Sequence, residues 1–255
     1  MAKGVIVTGA SRGIGRAIAL DLAQRGFDLL LVARHEEKLL AVRDECIEAG
    51  VKAAACIVDI TGAEAGPAVR DACLEFIGPP WGLVNNAGMS ESAPLAKTDD
   101  ELIDRHMQLN FRAPMRLMRA VVPRMVENMG GRVVNVLSTA ALAGYPYVSA
   151  YTASKHALLG ATRSLAREFA AKAVTFNAVC PGYVNTEMFA QTIANIAART
   201  GLDEVHAEEK LKAMSPQQRV FEPEEVSHAV AFLLSEGAFG ITGQALSIDG
   251  GEIEH

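Results

Sequence analysis

The amino-acid sequence predicts a single α/β domain, a doubly wound parallel sheet of about seven strands with helices on both faces. Three observations predict it. Short apolar runs alternate with longer amphipathic stretches along the whole chain. The runs are rich in Val, Ile, Leu and Ala and show little polar alternation, as strands do when both faces are covered. No repeat, low-complexity segment or shift of composition marks a linker, so one domain is expected over residues 1–255.

The elements follow in order. An apolar run at 4–8 enters a glycine-rich turn, and a helical pattern covers 13–26. Runs at 28–33 and 53–58 are followed by helical patterns at 36–50 and 62–77. A run at 82–85 precedes a long helical pattern at 99–128. Within it Met107, Met115, Met118, Met125 and Met129 recur at helical spacing and read as a core or subunit-contact stripe. Then come a run at 132–138, a helical pattern at 149–170 and a run at 174–180. Residues 186–215 break the rhythm, with helical composition and no strand, and an insertion of this kind is expected to act as a substrate lid. The last helix covers 223–235, where Pro223 suits a first turn and Glu222, Glu224 and Glu225 suit the positive end of the dipole. A final run occupies 245–248.

Composition narrows the function classes. Half the residues are apolar and 21% are charged, enough to build a core without metals or disulfides. Cys46, Cys56, Cys73 and Cys180 form no C-x-x-C pair and no cluster with histidine, so they read as structural thiols and no metal site is expected. A net charge of −6 without a basic block argues against nucleic acid. No apolar run reaches the roughly 20 residues of a membrane span, and the first residues reach glycine too soon for a signal peptide. A cytoplasmic protein is therefore expected.

Two constellations carry chemistry. The first strand runs into Thr8-Gly9-Ala10-Ser11-Arg12-Gly13-Ile14-Gly15. Gly9 allows a tight turn, Gly13 lets the backbone approach a phosphate, and Gly15 lets the helix pack closely on the sheet. The helix N-terminus adds free N–H groups and a positive dipole end, which is how Rossmann-like folds hold a pyrophosphate. The spacing is G-x-x-x-G-x-G and not G-x-G-x-x-G. Far downstream, Tyr151 and Lys155 are four apart on a helix and share a face. A phenol titrates near 10 on its own, and a neighbouring ammonium is expected to lower that value. Ser138 ends the preceding strand, where ligands collect in such sheets. His156, next to Lys155, points elsewhere and is read as inert.

The combination resembles short-chain dehydrogenases/reductases over essentially the whole length. The matching motifs are residues 8–15, Asp59, Asn85-Asn86-Ala87-Gly88, Asn110, Ser138, Tyr151-x-x-x-Lys155, Pro181-Gly182 with Thr186, and Asp249-Gly250-Gly251. The resemblance implies an oxidoreductase that interconverts a carbonyl and a secondary alcohol. It implies that Tyr151 is the general acid in reduction and that Lys155 tunes it and binds nicotinamide ribose. Ser138 would polarise the carbonyl, and Asn110 would hold a water in a relay to Lys155. Asn86 would support the adenosine side, and Thr186 would contact the carboxamide. The implied cofactor contacts also include Gly9, Ser11, Arg12, Gly13, Ile14, Gly15, Asp59, Ala87, Gly88, Pro181, Gly182 and Val184. A homotetramer packed through helices 99–128 and 149–170 is the family expectation.

NADP(H) is the expected cofactor. Leu31-Val32-Ala33-Arg34-His35 places no carboxylate at the end of the second strand, where an NAD enzyme would bind the ribose 2′-OH. Arg34 and Arg12 are instead placed for a 2′-phosphate. Within the family the sequence resembles 3-oxoacyl-thioester reductases and polyketide ketoreductases. A 3-oxoacyl thioester on CoA or an acyl carrier protein is therefore the expected substrate, with Arg124 and Arg167 as candidate contacts to an acidic carrier. A small aliphatic or alicyclic ketone is the alternative. A non-catalytic dinucleotide-binding regulator is a third reading, but it should lack one of Ser138, Tyr151 and Lys155.

Overall fold

The computed structural model describes residues 3–254. Seven strands form one sheet: β1 (Gly4–Thr8), β2 (Asp28–Ala33), β3 (Ala53–Ile57), β4 (Pro80–Asn85), β5 (Gly131–Val136), β6 (Val174–Pro181) and β7 (Ala245–Ile248). Their order is β3-β2-β1-β4-β5-β6-β7, and every pairing is parallel. The order reverses between β1 and β4. Their carboxyl ends open a crevice there, the usual ligand site of such sheets.

The helices are α1 (Gly13–Gln24), α2 (Glu36–Glu48), α3 (Ala65–Phe76), α4 (Asp100–Met107), α5 (Ala113–Glu127), α6 (Ser149–Phe169), α7 (Glu187–Thr200), α8 (Glu204–Lys212) and α9 (Pro223–Leu234). Alternate strand residues feed two separate cores. Val5, Val7, Leu29 and Leu31 pack with Ile18 and Leu22 of α1, Leu39 of α2 and Val230 of α9. Ile6, Leu30 and Leu83 pack with Val69 of α3, Leu117 and Val121 of α5, and Leu158 of α6. Each side chain so buried contributes about 1.5–3 kcal/mol. Burial on both faces is why the strands read as unbroken apolar runs.

Three sequence expectations need correction. The long helix at 99–128 is not continuous: a π-helical turn, Gln108–Arg112, separates α4 from α5. Strand β4 begins at Pro80 and not at residue 82, because proline is tolerated where a strand starts. The methionine stripe ends at Met125. Met118 and Met125 are buried, whereas Met129 follows the helix with φ of 64° and is exposed.

The 186–215 segment forms α7 and α8, with a small core of their own made by Phe189, Ile193, Ala207 and Leu211. Helix α7 is clasped at both ends. Glu187 pairs with Arg12 and with Lys38, the latter at 3.3 Å. Arg199 donates to the carbonyl and hydroxyl oxygens of Ser92, both at 3.0 Å. No helix among the described residues is long and apolar enough to cross a membrane.

Candidate active site

The glycine loop is shaped by contacts that leave no room for side chains. Gly9 has φ of +66°, and a Cβ there would lie 2.9 Å from Ala87 Cα. A Cβ on Gly15 would lie 2.1 Å from the Gly9 carbonyl oxygen. Gly13 has φ of +52° and faces the Thr186 methyl group. Thr8 and Asn86 bind the loop to β4. The Thr8 hydroxyl accepts from the N–H groups of Asn86 and Ala87, at 3.0 and 3.1 Å. Asn86 Nδ2 donates to the carbonyl oxygens of Thr8 and Gly9, at 2.9 and 3.3 Å.

Helix α1 starts at this loop with no side-chain cap and no acidic residue in its first turn. Its leading N–H groups and dipole are thus free for an anion. Ser11 is buried in the loop and Ile14 is half-buried. At the neighbouring strand ends Arg34 is exposed and pairs with Asp59 at 3.5 Å. Asp59 is oriented by Thr61, whose N–H and hydroxyl donate to Oδ1 at 2.9 and 2.7 Å, and these bonds hold its carboxyl below the usual range. Arg12, Arg34 and Lys38 supply positive charge along this lip, so the residues present fit a dinucleotide. Thr186 caps α7, and its hydroxyl donates to the Val184 carbonyl oxygen at 3.2 Å. Val184, Pro181 and Gly182 form the edge of the crevice beside it, with Val184 and Pro181 buried.

Ser138, Tyr151, Lys155 and Asn110 come together on the other side of the crevice. Ser138 lies beside Tyr151 and acts to lower the pKa of its phenol. Lys155 is buried, donates to the Val136 carbonyl oxygen at 3.0 Å, and lies 5.7 Å from the Tyr151 ring centroid. Asn110 is buried in the π-helical turn. Its Oδ1 accepts from Met89 N–H at 2.9 Å, and its Nδ2 donates to the Met89 carbonyl oxygen and to Ser154 Oγ, both at 3.0 Å. Ser154 in turn donates to the Tyr151 carbonyl oxygen at 2.7 Å. Gly88 makes the close approach possible, since a Cβ there would lie 3.2 Å from Asn110 Oδ1 and 3.6 Å from Lys155 Nζ.

Burial controls the protonation of this group. It pushes the Tyr151 phenol up to about 12, against the lowering by Ser138. It also pulls the Lys155 ammonium down to about 8. Burial of the phenol is thus the largest influence on Tyr151 and works against the lowering expected from Lys155. At neutral pH Tyr151 holds its proton and Lys155 its charge. Cys180 adjoins them, but burial raises its thiol to about 12 and keeps it neutral.

The family model of short chain dehydrogenases matches residues 3–197. The chain belongs to the short chain dehydrogenase family. A relative from Streptomyces coelicolor named as a ketoacyl reductase is 36% identical over 248 residues, covering 96% of this chain and 95% of its own length. A 3-oxoacyl-[acyl-carrier-protein] reductase of Pseudomonas aeruginosa is 34% identical, covering 98% and 96%. Among solved structures, a variant of actinorhodin polyketide ketoreductase crystallised with NADPH superposes with a TM-score of 0.96 at 35% identity, covering 100% of this chain and 98% of that one. The seven-stranded parallel sheet is thus the fold of a known short chain dehydrogenase.

The sequence reading missed three residues around this dehydrogenase site. His106 is fully buried, with its ring steeply inclined to that of Tyr151 at a centroid distance of 6.2 Å. Its Nε2 accepts from Glu91 N–H at 3.1 Å, and its Nδ1 contacts the Leu102 carbonyl oxygen at 2.9 Å. Accepting at one nitrogen and donating at the other requires the neutral ring. Tyr145 and Glu252 meet beside Ser138, where the Tyr145 hydroxyl donates to a Glu252 carboxylate oxygen. The helical spacing places His106 on the inner face of α4, which is a signal of burial only. No periodicity announces Glu252 in the short C-terminal turn.

Proposed function

We propose that the chain is an NADP(H)-dependent ketone reductase whose substrate is a 3-oxoacyl thioester. The observation that carries the reading is Tyr151, protonated at neutral pH, beside Ser138 and backed by the charged Lys155. A proton donor must arrive carrying its proton, and this one does. The relatives named as ketoacyl and 3-oxoacyl reductases support the substrate class, and the NADPH-bound neighbour supports the cofactor.

The glycine loop residues Gly9, Ser11, Arg12, Gly13, Ile14 and Gly15 hold the pyrophosphate, with Asn86, Ala87 and Gly88 on the opposite wall. Arg34 and Arg12 take the 2′-phosphate, and Asp59 orients Arg34. Pro181, Gly182, Val184 and Thr186 border the nicotinamide end. The bound nicotinamide supplies the hydride. Ser138 donates a hydrogen bond to the ketone oxygen and fixes it beside Tyr151. As negative charge grows on that oxygen, Tyr151 transfers its proton. Lys155 then faces a nascent phenolate, whose charge the ammonium offsets. Asn110, in the π-helical turn, holds a water in a proton relay to Lys155. The thioester arm is carried by CoA or by an acyl carrier protein. Arg124 pairs with Glu127 at 2.7 Å, so the docking of an acidic carrier through that arginine is weakened. The functional unit is a homotetramer in the cytoplasm, and α7 and α8 form a lid.

The test is oxidation of NADPH by acetoacetyl-CoA compared with cyclohexanone, repeated with NADH. Higher kcat/KM for the thioester with NADPH supports the reading. Turnover of cyclohexanone alone moves the assignment to a small-ketone reductase, which the net charge of −6 favours over an anionic carrier. No turnover of any ketone, despite the complete Ser138, Tyr151 and Lys155 set, leaves the regulatory reading. Arg34→Ala should narrow the preference for NADPH.

A further inference from the structure

We propose that Glu252, held by Tyr145, is a specificity-determining residue that repels carbonyl substrates carrying a negative charge beside the ketone. The enzyme then accepts a 3-oxoacyl group as a neutral ester or thioester and rejects the free 3-oxo acid. The inference rests on the ketone-reductase reading and names what that site excludes.

Placement comes first. Three loops at the carboxyl ends of β5, β6 and β7 converge next to Ser138. The first brings Tyr145, which lies beside the Thr139 side chain, one residue from Ser138. The second brings Gly182 and Tyr183. A Cβ on Gly182 would lie only 3.4 Å from Glu252 Oε2, so glycine leaves the carboxylate its space. The third brings Glu252 itself. Burial and the nearby Glu252 carboxylate both push the Tyr183 phenol up, so it stays neutral. The carboxylate is therefore held between Tyr145 and Gly182, at the carboxyl ends of the strands that lead to Ser138 and to the Pro181-Gly182 edge of the crevice.

Charge comes second. Glu252 is half-buried, and no lysine, arginine or histidine pairs with it among the described residues. Its charged neighbour is Asp249, another carboxylate. Asp249 is already satisfied, accepting from Gly251 and Ile253 N–H at 3.0 and 3.1 Å. Among the described residues Glu252 has only the Tyr145 hydroxyl. A partly dehydrated carboxylate without a cation is costly to keep and adds nothing to the fold that glutamine could not supply. Such groups concentrate where function requires them. Here the consequence is a negative potential at the ketone-bearing end of the cleft. In a free 3-oxo acid the carboxylate stands two bonds from the ketone carbon and meets that potential. In an ester or thioester the same position is neutral, and the phosphates of a CoA arm lie far down the chain.

The experiment measures kcat/KM for ethyl acetoacetate and for acetoacetate with NADPH, in the wild type and in Glu252→Gln. Glutamine keeps the shape and can still accept from Tyr145. The wild type should prefer the neutral ester. Glu252→Gln should narrow that preference by about tenfold or more, the scale of one unit charge removed at a few ångströms from a half-buried cleft. Its gain should come from acetoacetate, with the ester altered by less than about threefold. Tyr145→Phe gives a second arm. It removes the hydrogen bond and leaves the charge, so the preference should persist or widen. Inhibition of ester reduction by acetoacetate should strengthen in Glu252→Gln, which reads binding without turnover. An unchanged ester-to-acid ratio in Glu252→Gln, or equal changes on both substrates, overturns the proposal. If wild type reduces neither compound while other ketones are turned over, the thioester reading fails. Pyruvate against its methyl ester then tests the charge filter by the same ratio.

Discussion

Tyr151→Phe keeps the ring and deletes the proton, which makes it the sharpest single-residue test of the catalytic arrangement. Turnover should fall by about 10²–10⁴-fold, the usual range for a general acid, while the apparent KM changes little. A kcat within a few-fold of wild type would remove Tyr151 from the chemistry. The pH profile tests Lys155. Tyr151 keeps its proton until about 12, but Lys155 loses its charge as pH rises through about 8. Reduction should therefore be flat through neutrality and decline above about 8, with the limb belonging to the lysine and not to the tyrosine. A rate of reduction still flat at pH values well above the lysine pKa would contradict that assignment. At this scale the sequence was informative where chemistry demands a spacing. Tyr151 and Lys155 must share a helical face, and the glycines must clear a path for backbone. It was silent on Glu252, whose position follows from the meeting of three loops. It was silent on His106 too, because a buried histidine on an apolar helix face looks like any other core residue.

At the scale of elements, the π-helical turn at Gln108–Arg112 is the feature a hydrophobic pattern cannot reveal. One wide turn does not interrupt the apolar stripe that joins α4 to α5. It does rotate Asn110 toward the backbone of Met89, and π turns often mark functional positions. The segment of α7 and α8 was readable as a helical insertion, but not its fastening. Glu187 links the start of α7 to Arg12 and Lys38, basic groups at the lip of the cofactor crevice. Both contacts are exposed, so each is individually weak. Together they fasten the start of α7, the segment proposed as a lid. Glu187→Gln should raise amide hydrogen exchange across 187–212 while leaving β1 and β4 protected, because those strands lie in the core. Added NADPH should reduce exchange in the same segment of the wild type. Equal and high protection of the segment in both proteins would show that the small core of Phe189, Ile193, Ala207 and Leu211 suffices to hold it.

The whole molecule raises the question of assembly, since the fold depends on surfaces that face inward and the proposed tetramer on one that faces out. Helix α6 buries Ser154, Lys155, Leu158, Leu159 and Thr162, and so carries Lys155, one of the proposed catalytic pair, on its inner side. Its outer side presents Ala153, His156, Gly160, Ser164 and Arg167, all exposed and spaced by helical turns. Gly160 decides the argument. A Cβ there meets nothing within 4 Å in the chain itself, so the single subunit has no steric reason for glycine. In an exposed helix interior glycine costs about 1 kcal/mol relative to alanine. Close packing of α6 against its counterpart in another subunit would give that cost a reason. Gly160→Leu should then leave the circular dichroism spectrum intact, with a melting temperature for the subunit fold no lower than wild type. Light scattering should show the mass falling from about four times the 27.1 kDa chain toward a dimer or monomer. Activity should fall with the mass, because the same helix carries Tyr151 and Lys155. A variant that keeps a tetrameric mass would show that α6 does not form the interface, and a wild type that runs as a 27.1 kDa monomer would remove the tetramer altogether.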